Sequence, residues 1–228
     1  MRIGGYQKTT LVDFPGEVAG IIFVANCNMR CHYCYNPDLV FNRATKIDEK
    51  EVFSELKRRQ KYTNAVVVTG GEPTIWSDLP DFLARLKDMG MKIKLDTNGT
   101  NPKMLRRIID DGLVQYIAMD VKASKSKYFS ISGLDNIVEN ILESIEIIKS
   151  SNIDYEFRTT VAPGLDMEDI KEIAKMIYPA KQWFLQEFKP LEKLVDMRES
   201  KKDYLKLAQL KEKLNAMHIA QSYHIRGL

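Results

Sequence analysis

An α/β fold built around a parallel sheet is what this sequence predicts, as one domain over residues 1–228. Short β-rich runs alternate with longer amphipathic segments, which is the pattern of βα units. No internal repeat, low-complexity tract or Pro/Gly/Ser-rich linker marks a boundary. With 44% apolar and 29% charged residues, the 228-residue chain has a globular composition and is long enough to bury a continuous core.

Strands are expected near 20–25, 65–69, 91–96, 115–121, 154–161 and 182–188, with a last short one near 219–225. Helices are expected between them, near 48–60, 78–89, 102–111, 134–150, 167–178 and 202–217. Ser77-Asp78 and Asn101-Pro102 are start signals for two of these. The stretch 189–201, KPLEKLVDMRESK, reads as a polar connection within a C-terminal third, 164–228, that carries fewer signals.

Strand parity sharpens the fold. In KIKLD, Ile93 and Leu95 face one way, and Lys92, Lys94 and Asp96 the other. In YIAMDVK, Ile117, Met119 and Val121 oppose Tyr116, Ala118, Asp120 and Lys122; in DYEFRTT, Tyr155, Phe157 and Thr159 oppose Glu156, Arg158 and Thr160. Three strands thus bring charge to one surface. A flat sheet covered on both faces would hardly bury so many charges, whereas a curved or partly closed barrel with a wet lumen accommodates them. The charges also fall late in each strand, at the end where βα folds build their sites.

Composition narrows the function. Formal net charge is +3, with lysines and glutamates mixed along the helical stretches, so no nucleic-acid partner is expected. No run approaches the roughly 18 apolar residues that span a bilayer, and MRIGGYQK lacks the apolar core of a signal peptide. A cytoplasmic protein with no membrane partner is the expectation. All three cysteines lie within eight residues, which fits a metal site rather than an even-numbered disulfide framework.

Cys27, Cys31 and Cys34 follow the first expected strand directly, on a βα loop spanning 26–36, with C-x3-C-x2-C spacing. Thiolates suit iron–sulfur clusters or zinc. A zinc-stabilised binding module would need a fourth ligand; His32 is awkwardly placed beside Cys31, which leaves the distant His218 or His224. A four-iron cluster on three cysteines leaves one iron open to a small chelating molecule.

With an aromatic residue before the last cysteine, Cys27, Cys31, Tyr33 and Cys34 resemble the CxxxCxxC loop of the radical S-adenosylmethionine (SAM) superfamily. The resemblance implies a 4Fe–4S cluster on the three cysteines as the catalytic centre. It further implies SAM chelated to the open iron, Tyr33 beside the adenine, and one-electron cleavage of SAM to a 5′-deoxyadenosyl radical. The fold it implies is a partial (β/α)6 barrel, open on one side.

Gly70-Gly71-Glu72 ends the apolar strand AVVV and resembles the family's GGE motif, which receives the SAM amino group. Leu95-Asp96-Thr97-Asn98-Gly99 and Asp120-Val121-Lys122 resemble the DTNG and D-x-K segments of glycyl-radical-enzyme activases. There Asp96, Thr97 and Asp120 would help hold SAM and a monovalent cation, Lys122 would reach the SAM carboxylate, and Arg158 would contact the cofactor or a neighbouring carboxylate. The opening Gly5–Gly16, with its Asp13-Phe14-Pro15-Gly16 element ahead of the first strand, resembles activating proteins of anaerobic ribonucleoside-triphosphate reductase and, more distantly, of pyruvate formate-lyase. The implied partners are a glycyl radical enzyme and a low-potential electron donor such as flavodoxin or ferredoxin. Tyr35 stands where many activases carry histidine, and small metabolite enzymes such as 7-carboxy-7-deazaguanine synthase are comparably short, so that family is the alternative.

Overall fold

A computed structural model of the chain describes residues 1–190, 193–197, 204–206 and 223–226. Eight strands form one sheet in sequence order. They are β1 (Ile3–Thr10), β2 (Ala19–Val24), β3 (Ala65–Gly70), β4 (Lys92–Thr97), β5 (Tyr116–Asp120), β6 (Asp154–Val161), β7 (Trp183–Glu187) and β8 (Tyr223–Arg226). β1 pairs antiparallel with β2, and every later pair is parallel. β1 and β8 stand at the two ends of the order, which is the open, α/β arrangement a partial barrel requires.

The crossovers are α1 (Pro37–Val40), α2 (Glu49–Arg59), α3 (Leu79–Asp88), α4 (Pro102–Asp110), α5 (Tyr128–Ser132), α6 (Val138–Ser150) and α7 (Met167–Ile177). Local chemistry starts them. The Asp48 side chain accepts from Lys50 N ahead of α2, Asn101 accepts from Met104 N behind Pro102 of α4, and Asp166 and Asp169 form a capping box on α7. None of the described helices is long and apolar enough to cross a membrane.

Parity holds in three dimensions. Val66, Val68, Ile93, Leu95, Ile117, Met119 and Phe157 are fully buried under Leu83, Leu105, Ile145 and Ile170 of the helices. Each such side chain contributes about 1.5–3 kcal/mol by leaving water. The opposite, inner face is split by height. At the N-terminal end of the strands Ala19, Ile21, Ala65, Val67 and Tyr116 form a small apolar plug, closed by Phe14, whose ring lies 5.9 Å from that of Tyr116. Above the plug the inner face turns polar.

Two expectations change. Ile3–Thr10 is a strand, so Asp13-Phe14-Pro15-Gly16 sits on the turn between β1 and β2 and not before the first strand. Only Ile3 and Thr10 of β1 are fully buried, and an edge strand with so little buried apolar surface writes no hydrophobic run into the sequence. The helix expected at 134–150 begins only at Val138, because Asn136 (φ +56°) turns the chain before α6, and an unexpected short helix, α5, precedes it and ends at Gly133 (φ +67°). The helix expected at 202–217 lies outside the described residues, except for 204–206, which carry no regular element.

Candidate active site

The twelve residues singled out from the sequence line one cavity of about 230 Å³ at the C-terminal ends of β2 to β6: Cys27, Cys31, Tyr33, Cys34, Gly70, Gly71, Glu72, Asp96, Thr97, Asp120, Lys122 and Arg158. The cysteine loop leaves β2 through Asn26 in the left-handed region (φ +69°). Arg30 N donates to Ser132 O at 2.7 Å, tying the loop to the end of α5. The stretch read as a polar connection straps it from the other side: Val195 N donates to Cys34 O at 3.2 Å and Asp196 N to His32 O at 2.9 Å. Tyr35 stacks on Phe188, their centroids 6.2 Å apart.

Gly70 and Gly71 press against the cysteine loop. Gly71 N donates to Val24 O at 2.8 Å and Glu72 N to Asn26 O at 2.9 Å. A Cβ on Gly71 would lie 1.9 Å from Asn26 O, and one on Gly70, held at φ +116°, 2.5 Å from Val24 N and O. Gly71→Ala is therefore expected to displace the cysteine loop and to cost about 3 kcal/mol, the range of a severe backbone clash. Urea denaturation and iron content after reconstitution check this; a variant as stable and as iron-rich as the parent contradicts it.

Glu72 is 1% exposed, and its carboxylate spans two loops. Oε1 accepts from Thr74 N (3.0 Å), Thr74 Oγ1 (2.6 Å) and Thr97 Oγ1 (2.8 Å), and Oε2 accepts from Asn98 N (2.6 Å). Burial raises its pKa, and these hydrogen bonds oppose the rise. The Gly-Gly-Glu turn is thereby fixed to the turn after β4. Sequence reading gave no role to Asn28, Asn98 and Thr100, which continue this network: Asn98 Nδ2 donates to Asn28 Oδ1 at 2.9 Å, and Asn28 Nδ2 to Thr100 Oγ1 at 2.8 Å. Of the three, only Asn98 lies within a segment that the sequence singled out, the DTNG-like Asp96–Gly99.

The charges form a chain across β4, β5 and β6. Asp120 and Arg158 are register partners, so their side chains meet, with Arg158 Nε 2.8 Å from Asp120 Oδ1. Arg158 Nη1 also reaches Asp96 Oδ2 at 3.1 Å. Lys94 Nζ donates to Asp96 Oδ1 at 2.7 Å, and Lys122 Nζ to Asp120 Oδ2 at 3.2 Å. Burial by itself would push both carboxyls up. Arg158 first, then Lys94 for Asp96 and Lys122 for Asp120, overcome it, holding Asp96 below the usual range and Asp120 at about 2. Both stay ionised at neutral pH.

A model of the radical SAM superfamily matches residues 21–177. The chain belongs to the radical SAM superfamily. It is a radical SAM enzyme, and that family works with a 4Fe–4S cluster and SAM. A Methanocaldococcus jannaschii protein named as a glycyl-radical enzyme activating enzyme is 32% identical over 194 residues, 82% of this chain and 80% of that one. The pyruvate formate-lyase-activating enzyme of Streptococcus mutans is 29% identical over 171 residues, 69% of this chain and 64% of that one. The 7-carboxy-7-deazaguanine synthase of Koribacter versatilis is 31% identical over 147 residues, 64% of this chain and 62% of that one. Among solved structures, Streptococcus suis SuiB bound to S-adenosylmethionine superposes with a TM-score of 0.64 at 16% identity, over 91% of this chain and 52% of that one, which speaks for a shared fold.

Membership of the radical SAM superfamily sets aside the zinc-stabilised module that the cysteine count left open. The donor set in this chain fits an iron–sulfur cluster. Burial pushes the Cys27 thiol up to about 12 and the Cys31 thiol to about 11, so a bare thiolate is costly there. A cationic metal centre offsets that cost by taking the thiolate as a ligand. Met29 N already donates to Cys27 Sγ at 3.4 Å, a contact that suits a sulfur carrying negative charge.

Proposed function

We propose that this radical SAM enzyme is an activase that installs a glycyl radical on a partner enzyme, and that the partner is an anaerobic ribonucleoside-triphosphate reductase. The observation that carries the activase reading is the 32% identity, over 82% of the chain, with a relative named as a glycyl-radical enzyme activating enzyme. The likeness of the Gly5–Gly16 opening to reductase-activating proteins supports the choice of partner.

On this reading Cys27, Cys31 and Cys34 hold the cluster and leave one iron without a protein ligand. When bound, the cluster and SAM would supply the radical chemistry that removes a hydrogen atom from a glycine of the partner. The residues of this chain orient and shield. Oε1 of Glu72 accepts three hydrogen bonds while Oε2 accepts one, so Oε2 has a lone pair left for the SAM amino group at the edge of Gly70 and Gly71. Lys122 and Arg158 line the same cavity and offer positive charge to the SAM carboxylate, Asp96 and Asp120 hold those cations in place, and Thr97 helps fix Glu72. Tyr33, 6% exposed, gives the adenine an aromatic wall. A low-potential flavodoxin or ferredoxin supplies the electron.

The test is anaerobic. Reconstituted protein, SAM, reductant and an anaerobic ribonucleoside-triphosphate reductase from the same source should give a glycine-centred EPR doublet on the reductase. SAM cleavage that never yields that doublet would overturn the activase reading. The 31% identity to a 7-carboxy-7-deazaguanine synthase favours a metabolite enzyme as second reading, and formation of a deazapurine product would establish it.

A further inference from the structure

The likeness to activases implies a monovalent cation on Asp96 and Asp120, yet all four carboxylate oxygens already meet a cationic donor of this chain. Lys94 and Arg158 take Asp96 Oδ1 and Oδ2 at 2.7 and 3.1 Å, and Arg158 and Lys122 take Asp120 Oδ1 and Oδ2 at 2.8 and 3.2 Å. Lys94 differs from its two companions. Lys122 and Arg158 line the cavity, whereas Lys94 is 1% exposed and does not line it. It lies one pleat below Asp96 on the inner face of β4, over the Tyr116 ring, 6.0 Å from the ring centroid.

The inner-face charges balance. Glu156, buried two residues before Arg158, hydrogen-bonds Tyr116 Oη at 3.0 Å, so three carboxylates (Asp96, Asp120, Glu156) face three cations (Lys94, Lys122, Arg158). Glu72 is answered separately by donors from Thr74, Thr97 and Asn98. Among the described residues the carboxylates that face one another across β4, β5 and β6 are matched by these cations, and a metal cation entering at Asp96 would meet Lys94 and Arg158.

We propose that Lys94 supplies from within the fold the positive charge that a bound alkali cation would give, so that SAM binds here without one. Lys94 is a positioning residue: it acts through Asp96 and touches no ligand. The proposal rests on Asp96 and Asp120 belonging to the SAM site.

The experiment is equilibrium dialysis of SAM with anaerobically reconstituted protein, in buffers whose only monovalent cation is potassium, sodium or choline. The parent is expected to bind SAM with affinities within about twofold in all three, and Lys94→Met to lose about tenfold in choline and to recover in about 100 mM potassium. Thallium-205 NMR, with Tl⁺ as the potassium mimic, should detect bound ion in Lys94→Met and none in the parent or in Lys94→Arg. Parent affinity that falls in choline and returns with potassium would overturn the proposal, as would Lys94→Met binding SAM equally well in choline. If Lys94→Met fails to fold, the parent's cation series and Tl⁺ spectrum still decide. A parent that binds no SAM in any salt sinks the site assignment itself, a result distinct from cation-dependent binding.

Discussion

Cys31→Ala is expected to lower iron after reconstitution from about four atoms per chain to near zero, and SAM cleavage to the level of the cluster-free protein. Cys31 is 6% exposed and packed among apolar residues, so removal of its sulfur would take away a proposed cluster ligand while the backbone bonds of the loop remain. Arg30 N to Ser132 O, Glu72 N to Asn26 O and Val195 N to Cys34 O do not involve the Cys31 side chain. The cluster-free variant should therefore unfold within about 1 kcal/mol of the cluster-free parent, the scale of deleting one small buried group. Iron analysis, visible absorption and 5′-deoxyadenosine measured together separate the two effects. A variant that still makes 5′-deoxyadenosine would contradict the ligand assignment; one that loses both iron and fold would show that Cys31 also carries packing.

Arg158→Met is expected to cost about 3 kcal/mol at pH 7, because one substitution leaves two partly buried carboxylates short of a donor. Asp120 is about a third exposed on its side chain, which holds the cost at the low end of the range for a broken buried pair. The pH dependence gives the sign. In the parent both carboxyls are depressed below the ordinary 3.8, so their contribution is complete above that pH and is lost as pH falls toward the folded value, about 2 for Asp120. Without Arg158 burial, the largest influence on both groups, raises them. Protonation then relieves the variant at a higher pH than it disturbs the parent, and the stability deficit should shrink as pH drops from 7 to about 4.5. Urea midpoints at the two pH values measure it. A deficit that stays constant would mean that Arg158 matters through packing alone.

Residues of this chain show where pattern suffices. Ile93 and Leu95 against Lys94 and Asp96, or Phe157 against Glu156 and Arg158, announce which face is covered by helices, because alternation along a strand is set by the backbone and by burial alone. The strands from 19 to 187 and the five helices expected between them fall within about four residues of their expected bounds, the short helices Pro37–Val40 and Tyr128–Ser132 are unexpected, and the last strand, expected near 219–225, is Tyr223–Arg226. The expectation of a metal site on Cys27, Cys31 and Cys34 comes from their spacing, since ligands on one short loop need no distant partner. The edge strand Ile3–Thr10 escapes notice because it buries little apolar surface.

By itself, then, the sequence determined the alternation of elements, the polar inner face and the thiol loop, all of which depend on neighbours close along the chain. Only the tertiary structure decided which charge answers which. Asp96 meets Arg158 across 62 residues and Asp120 meets it across 38, while Val195 straps Cys34 across the width of the chain. Such pairs follow from strand register and loop closure, which many distant contacts fix together and no local pattern encodes.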